Sequence, residues 1–484
     1  MEKRITIFAW IIFIVSRLFF FSKLPIFEDE AQYLYLADSI VNNPSDNLFI
    51  YLHNGLLPMF GWIVALGTLI YDDSLTVGRM INVVLASSLI FWTYYIGRLY
   101  GKSLTFFITA YLLIIISPIL QLNSGVALLD VSIAVFTSWY IYFTLKIIIY
   151  DGSKSSKLDF IGLFFSLTAA LLTKATGTFG VLVLVVWILL GKHKKKLNSS
   201  KIAPVGIIYA TSIAIMLMFY VPYAGQISSD SGSSLITNMN VQDVLNKIEQ
   251  NFWLTLHWVK IYYESFVIVI LIYFLFRKRI KHNNIYLLMG LWTVVSLALM
   301  VVLNRFYFPR HILMINMPII ILVAATIASA PRKIGITALI VISFSRLLLT
   351  NSIFSLDAKT NMAQEDWFEY YENYTSGKNI ATIAKEIRSN LDTKQGVVYI
   401  DGSYVMEYGL RRELKSDKNI EFKSFRLGNE FLLPHKPEKV IKDPSRDTYV
   451  ILNRWRPENM EELSLVKGFD VSFRHTQYLY KVKY

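Results

Sequence analysis

Long apolar runs bounded by short basic clusters recur through roughly the first 350 residues of this chain, and no other feature limits its fold so strongly. A helix rises 1.5 Å per residue, so about 20 apolar residues cross the roughly 30 Å of hydrocarbon in a bilayer. Such runs cover 5–21, 80–98, 104–122, 128–147, 202–222, 262–276, 285–303, 310–329 and 333–350. The first follows Glu2-Lys3-Arg4 and has the outline of a signal peptide, but no small-residue cleavage site comes after it, so a retained anchor is expected. With 54% hydrophobic and 17% charged residues in 484, the chain carries more apolar surface than a soluble protein could hide. A multi-pass membrane protein is expected.

Two stretches leave the topology open. Residues 55–71 are apolar but interrupted by Pro58, Gly61 and Gly67, and 159–190 is long for one span and short for two, with Lys174 in its middle. If 55–71 lies on the outer surface and 159–190 is two short spans hinged at Lys174, the basic clusters at 2–4, 98–102, 146–157, 192–201, 277–282 and 332–333 share one side. The opposite choice puts 98–102 and 146–157 outside. The positive-inside rule therefore favours about eleven spans, a cytoplasmic N-terminus and an outer C-terminus. The formal net charge of +13 is read as topology and not as a nucleic-acid footprint, because it sits in loops between apolar runs. There is no cysteine, which excludes disulfides and thiolate metal sites.

From about Asn351 the composition turns polar, with alternating apolar patterns at 395–402, 447–453 and 476–483 and a helical pattern at 380–391. A small α/β domain over 351–484 is expected outside the membrane, after an all-α polytopic domain over 1–350. The favoured topology also gathers Glu28-Asp29-Glu30, His53, Asp130, Lys174, the loop 222–264 and residues 305–311 on the outer face.

Asp29-Glu30-x-x-Tyr33 after the first run, Gly78-Arg79, Leu129-Asp130, Leu172-Thr173-Lys174 and Arg305-Phe306-Tyr307-Phe308-Pro309 come in an order that resembles the GT-C superfamily of polyprenyl-phosphate-sugar-dependent glycosyltransferases. The nearest branch looks like the one holding protein O-mannosyltransferases and the lipid A aminoarabinose transferases, glycosyltransferase families 39 and 83. The resemblance covers roughly residues 1–330, and each motif is weak alone; their order and common side make the match. It implies a GT-C membrane domain with juxtamembrane helices in the first outer loop, in agreement with the charge argument for 55–71. Relatives of the aminoarabinose branch often carry Lys-Pro-Pro there, whereas this chain reads Leu52-His53-Asn54-Gly55-Leu56-Leu57-Pro58.

The chemistry that such an enzyme needs can be stated from the bonds involved. A sugar phosphate already has a good leaving group, so positive charge around the departing phosphate and a carboxylate to take the proton of the attacking hydroxyl are enough. The candidate catalytic carboxylates are Asp29, Glu30 and Asp130, with Asp29 matching the family's catalytic aspartate. The candidate substrate-binding residues are Tyr33, His53, Lys174, Arg305, Tyr307 and Arg310, the cations meeting phosphate through charge-assisted hydrogen bonds. The expected partners are a polyprenyl-phosphate-linked sugar donor, a protein, lipid or glycan acceptor, and membrane lipids, in a plasma-membrane setting with the C-terminal domain outside. No nucleic acid is expected.

Plainer readings exist for each residue. A carboxylate at a helix start, as at Asp130, is favourable by about 0.3–1 kcal/mol without any catalysis. Lys174 could snorkel, and Arg305 and Arg310 could be interfacial anchors beside aromatic residues, although ionisable groups at membrane depth are costly and usually functional. No cofactor is called for, and His53, His257 and His311 lack metal-ligand spacing, but nearby carboxylates leave a divalent cation as an alternative. A transporter or flippase is the main competing class, and it favours two repeated halves that this sequence does not show.

Overall fold

In the computed structural model, the described residues are 1–19, 24–54, 56–149, 156–190, 199–223, 240–276, 284–304, 307–353, 363–372, 376–391, 395–401, 403–425, 446–452, 463–472 and 475–482. Arg305 and most of the basic clusters at 192–201 and 277–282 lie outside them. The chain divides into two units, Met1–Phe21 with Ala37–Ala363, and Ser22–Leu36 with Gln364–Tyr484. Residues 22–36 therefore group with the C-terminal part of the chain.

The first unit is helical. After α1 (Glu2–Leu18), α2 (Glu28–Asn42) enters it from the second unit, followed by the short α3 (Pro44–Asn47), α4 (Ile50–His53) and α5 (Met59–Thr68). Then come α6 (Ser74–Leu99), α7 (Leu104–Ile115), α8 (Pro118–Ser124), α9 (Leu129–Ile149), α10 (Lys157–Thr173), α11 (Phe179–Leu190) and α12 (Ser199–Tyr220). The last helices are α13 (Val241–Phe276), α14 (Asn284–Leu303), α15 (Asn316–Ser329) and α16 (Arg332–Ile353). Five helices among the described residues are long and apolar enough to cross a membrane, spanning Ser74–Leu99, Leu129–Ile148, Ser200–Tyr223, Ile285–Leu303 and Pro309–Ser329. This is a multi-pass membrane protein. Residues 59–68 form a 10-residue helix, too short to span.

Two helical stretches also differ from the sequence reading. The run 104–122 is not one straight helix: α7 and α8 meet at a 54° bend. Pro118 opens α8 and pushes Ser117 into an extended conformation, φ −66° and ψ 112°. Proline also has no N–H to give the carbonyl of Ile114, one turn back. Arg17 from α1 supplies the missing donors, its guanidinium reaching the carbonyls of Ile114 at 3.2 Å and Ile115 at 2.9 Å. The second departure concerns 222–264, expected as a loop. Its residues from Val241 onward are helical and continue into the apolar run, making the 36-residue α13. At 1.5 Å per residue that helix is about 54 Å long, well beyond the hydrocarbon thickness.

The second unit is built on a five-stranded sheet with order β2-β1-β3-β5-β4. Its strands are β1 (Gly396–Asp401), β2 (Ile420–Phe425), β3 (Asp447–Leu452), β4 (Leu463–Ser472) and β5 (His475–Val482). β1 runs parallel to β2 and β3, whereas β5 is antiparallel to β3 and β4. One face buries Val397, Tyr399, Val450, Leu452, Tyr480 and Val482. Alternate residues Val398, Ile400, Tyr449, Ile451 and Leu479 are buried too, as expected for central strands covered on both sides. The helices α17 (Ile380–Asn390) and α18 (Tyr404–Glu413) accompany the sheet, and a one-turn helix covers Gln364–Trp367.

Candidate active site

Asp130 stands in the first turn of α9, and the polypeptide leading to it is held by a buried asparagine. Asn82 of α6 donates to the carbonyls of Val126 and Leu128 at 2.7 and 2.8 Å, and its own carbonyl accepts from Ser132 at 3.2 Å. Lys174 is placed by a helix break. After α10 the chain turns extended at Lys174, φ −159° and ψ 145°, before a 3-10 turn over Ala175–Thr178. The turn sits hard against its neighbours: a Cβ on Gly177 would lie 2.7 Å from the carbonyl oxygen of Ala170, and Tyr140 donates to the Gly177 carbonyl at 2.8 Å. Arg310 lies in a second 3-10 segment, Pro309–Ile315, whose proline suits a helical first position.

These three local devices bring one carboxylate between two cations. Lys174 Nζ is 3.1 Å from Asp130 Oδ1, and Arg310 Nε is 3.7 Å from Oδ2. Asp130 and Arg310 are 9% and 8% exposed in their side chains and Lys174 30%, so the lysine is the member open to a ligand. Among the described residues the cluster joins one carboxylate to two cations. With both oxygens engaged by cations, Asp130 is arranged to orient them, and a half-buried lysine ammonium beside an arginine is suited to an anion such as a phosphate.

His311 also faces Asp130, Lys174 and Arg310. Its ring stacks on Tyr307 at 5.8 Å between centroids, and its Nδ1 accepts from the Phe308 amide at 3.3 Å. Tyr307 is held in turn by Thr255, which donates to its hydroxyl at 2.9 Å, and by the Trp258 ring at 4.7 Å. Arg310 lies over the Phe308 ring at 4.4 Å. His53 has a different neighbour: it is exposed at the end of α4, with its ring edge-on to Tyr223 at 5.0 Å. Among the described residues no group of three or more His, Asp or Glu side chains is placed to hold a metal ion.

In the second unit, Glu28, Asp29 and Glu30 form the first turn of α2, where acidic side chains suit the unpaired amides of a helix start. Their environments differ. Glu28 is spent on structure, its carboxylate accepting from Ser403 Oγ at 2.9 Å and from the amides of Tyr404 and Val405 at 2.8 and 3.1 Å. Glu30 is fully buried, whereas Asp29 and Tyr33 are half-buried.

Sequence reasoning had singled out Asp130, Lys174, Tyr307 and Arg310, and the first, second and fourth meet in one cluster. It passed over His311 as a site residue and missed Asn82. An amide in the middle of an apolar helix was the available signal for Asn82; for His311 there was only its place beside Arg310.

Residues 51–227 match the sequence profile of the dolichyl-phosphate-mannose-protein mannosyltransferase family. No curated protein sequence matches the chain. Among solved structures, ArnT from Cupriavidus metallidurans bound to undecaprenyl phosphate is similar at a TM-score of 0.59 and 11% identity, over 99% of this chain and 97% of that one. The apo state of the same protein matches at 0.59 and 12% identity, with the same shares covered. The archaeal oligosaccharyltransferase AglB from Archaeoglobus fulgidus, in complex with an inhibitory peptide and a dolichol-phosphate, matches at 0.51 and 11% identity, over 84% of this chain and 63% of that one. At such identities the likeness is one of fold. The chain thus has the GT-C fold, and its resemblance is to the superfamily branch that holds the protein O-mannosyltransferases and the aminoarabinose transferases.

Proposed function

We propose that this protein is a membrane glycosyltransferase that moves a sugar from a dolichyl or undecaprenyl phosphate to a hydroxyl acceptor on the outer side of the membrane. The observation that carries the reading is the Lys174–Asp130–Arg310 cluster, two cations aligned by one carboxylate in a largely buried group on a GT-C scaffold. Lys174 and Arg310 bind the donor phosphate and stabilise the charge that it gains as the sugar leaves; Asp130 keeps both cations aimed. His311 and Tyr307 form the wall beside Arg310, and Arg305, Tyr33 and His53 are assigned to substrate contacts on the strength of their sequence positions. Asp29 is the general base that takes the proton of the acceptor hydroxyl, with Glu30 beside it in a supporting role. A single displacement requires attack on the face opposite the phosphate, so the anomeric centre inverts.

The test uses purified protein in sealed proteoliposomes with a polyprenyl-phosphate-linked sugar and a hydroxylated acceptor. Transfer releases polyprenyl phosphate and yields a glycosylated acceptor of inverted configuration. Donor recovered chemically intact but moved across a sealed bilayer would instead establish a flippase, and a product of retained configuration would rule out the single displacement.

A further inference from the structure

The three carboxylates that open α2 are separated by about 100° each around the helix axis, so they leave it in different directions. Glu28 is turned toward α18, where its two oxygens accept from one hydroxyl and two backbone amides at the start of that helix. These amides would otherwise have no helical partner, and Ser403, in the N-cap position, makes no cap with its own side chain. A side chain 375 residues away in sequence thus caps the helix.

The same face of α2 continues the contact. Ala31 and Tyr35 follow at the three- and seven-residue spacings that share a helix face; Ala31 is fully buried, and the Tyr35 ring lies 5.8 Å from that of Tyr404. The Tyr35 phenol bonds to Glu407, and burial together with that carboxylate raises its pKa, so it remains the protonated donor. Just upstream of α2, Gly377 donates its amide to the Ile26 carbonyl at 2.7 Å, and Phe27 pairs with Ser376 in a β-bridge. Gly377 can be nothing larger, because a Cβ there would come within 2.7 Å of that same Ile26 oxygen.

We propose that Glu28 is a positioning residue for the transfer reaction: by fastening the first turn of α2 to the start of α18, it fixes the rotation of that turn and so aims Asp29. The start of α18 is then the support for the base. The proposal rests on the assignment of Asp29 as base made above.

Glu28→Ala, Glu28→Gln and Ser403→Ala are to be compared with the native full-length protein by hydrogen exchange and by single-turnover transfer. In Glu28→Ala the amides of Tyr404 and Val405 should exchange at least about tenfold faster, since hydrogen bonds to charged acceptors are lost. The transfer rate should fall at least about tenfold while donor affinity stays within about twofold. Glu28→Gln keeps an acceptor oxygen and should recover much of the rate, and Ser403→Ala, which removes one of three donors, should lose less in the same direction. Unchanged exchange would show that no clamp exists, and faster exchange with undiminished transfer would show that the clamp positions nothing of consequence. Equal inactivity of Glu28→Gln and Glu28→Ala would make Glu28 a chemical participant and end the positioning role. Full transfer in Asp29→Asn would overturn the assignment of the base, and the positioning role with it, while the exchange data would still report the clamp itself.

Discussion

Asp130 holds the candidate donor site together by being ionised between two cations, and this makes its two kinds of neighbour respond differently to mutation. Lys174 is the more exposed cation, so Lys174→Ala removes a ligand contact at modest structural expense. Charge-assisted hydrogen bonds contribute roughly 1.5–3 kcal/mol, so affinity for polyprenyl phosphate should drop about 10- to 100-fold, as measured by microscale thermophoresis or native mass spectrometry. Asp130→Ala removes the carboxylate that lies between Lys174 and Arg310. Breaking a buried pair from one side costs about 3–5 kcal/mol, so a clear loss of thermal stability in detergent should accompany the loss of binding. A normal melting curve for Asp130→Ala would mean that the cluster is not the buried ion pair described.

At the scale of elements, the site depends on how sharply the chain breaks after α10. Gly177→Ala puts a methyl 2.7 Å from a backbone oxygen, which cannot yield as a side-chain tip would, so the turn carrying Lys174 must shift. Donor affinity should fall nearly as far as in Lys174→Ala even though no charge is removed, and unchanged affinity in the same binding assay would show that the turn has slack. The break at Lys174 was legible in the sequence, because a lysine within a long apolar stretch has few structural uses. So were β1, β3 and β5, whose apolar alternation reflects burial between neighbours. The strands that went unread, β2 and β4, are the two sheet edges; β2 alternates over Ile420-Glu421-Phe422-Lys423 and its signal was available, whereas in β4 Lys467 falls on the apolar phase and interrupts the pattern. The first half of α13 was unread because Asp243, Lys247 and Glu249 make it polar, and length alone could not extend an apolar run backwards. The role of Glu28 was beyond any local pattern, since its partners are at 403–405.

For the molecule as a whole, the absence of cysteine gives a direct test of topology. Single cysteines at 195 and at 470 should react with a membrane-impermeant maleimide only from inside and only from outside respectively; labelling of 195 from outside would reverse the orientation drawn from the basic loops. Orientation matters because an outward-facing base is required for an acceptor on the outer side. The central claim, however, is that the chain breaks the bond between a sugar and a polyprenyl phosphate with Asp29 as base. Its most direct measurement is a single-turnover comparison of native protein and Asp29→Asn, with donor binding measured in parallel. General base catalysis contributes roughly 10²- to 10⁴-fold, so Asp29→Asn should bind donor normally and transfer sugar at least about a hundredfold more slowly, with Glu30→Gln less affected. Transfer by Asp29→Asn at close to the native rate would contradict the account.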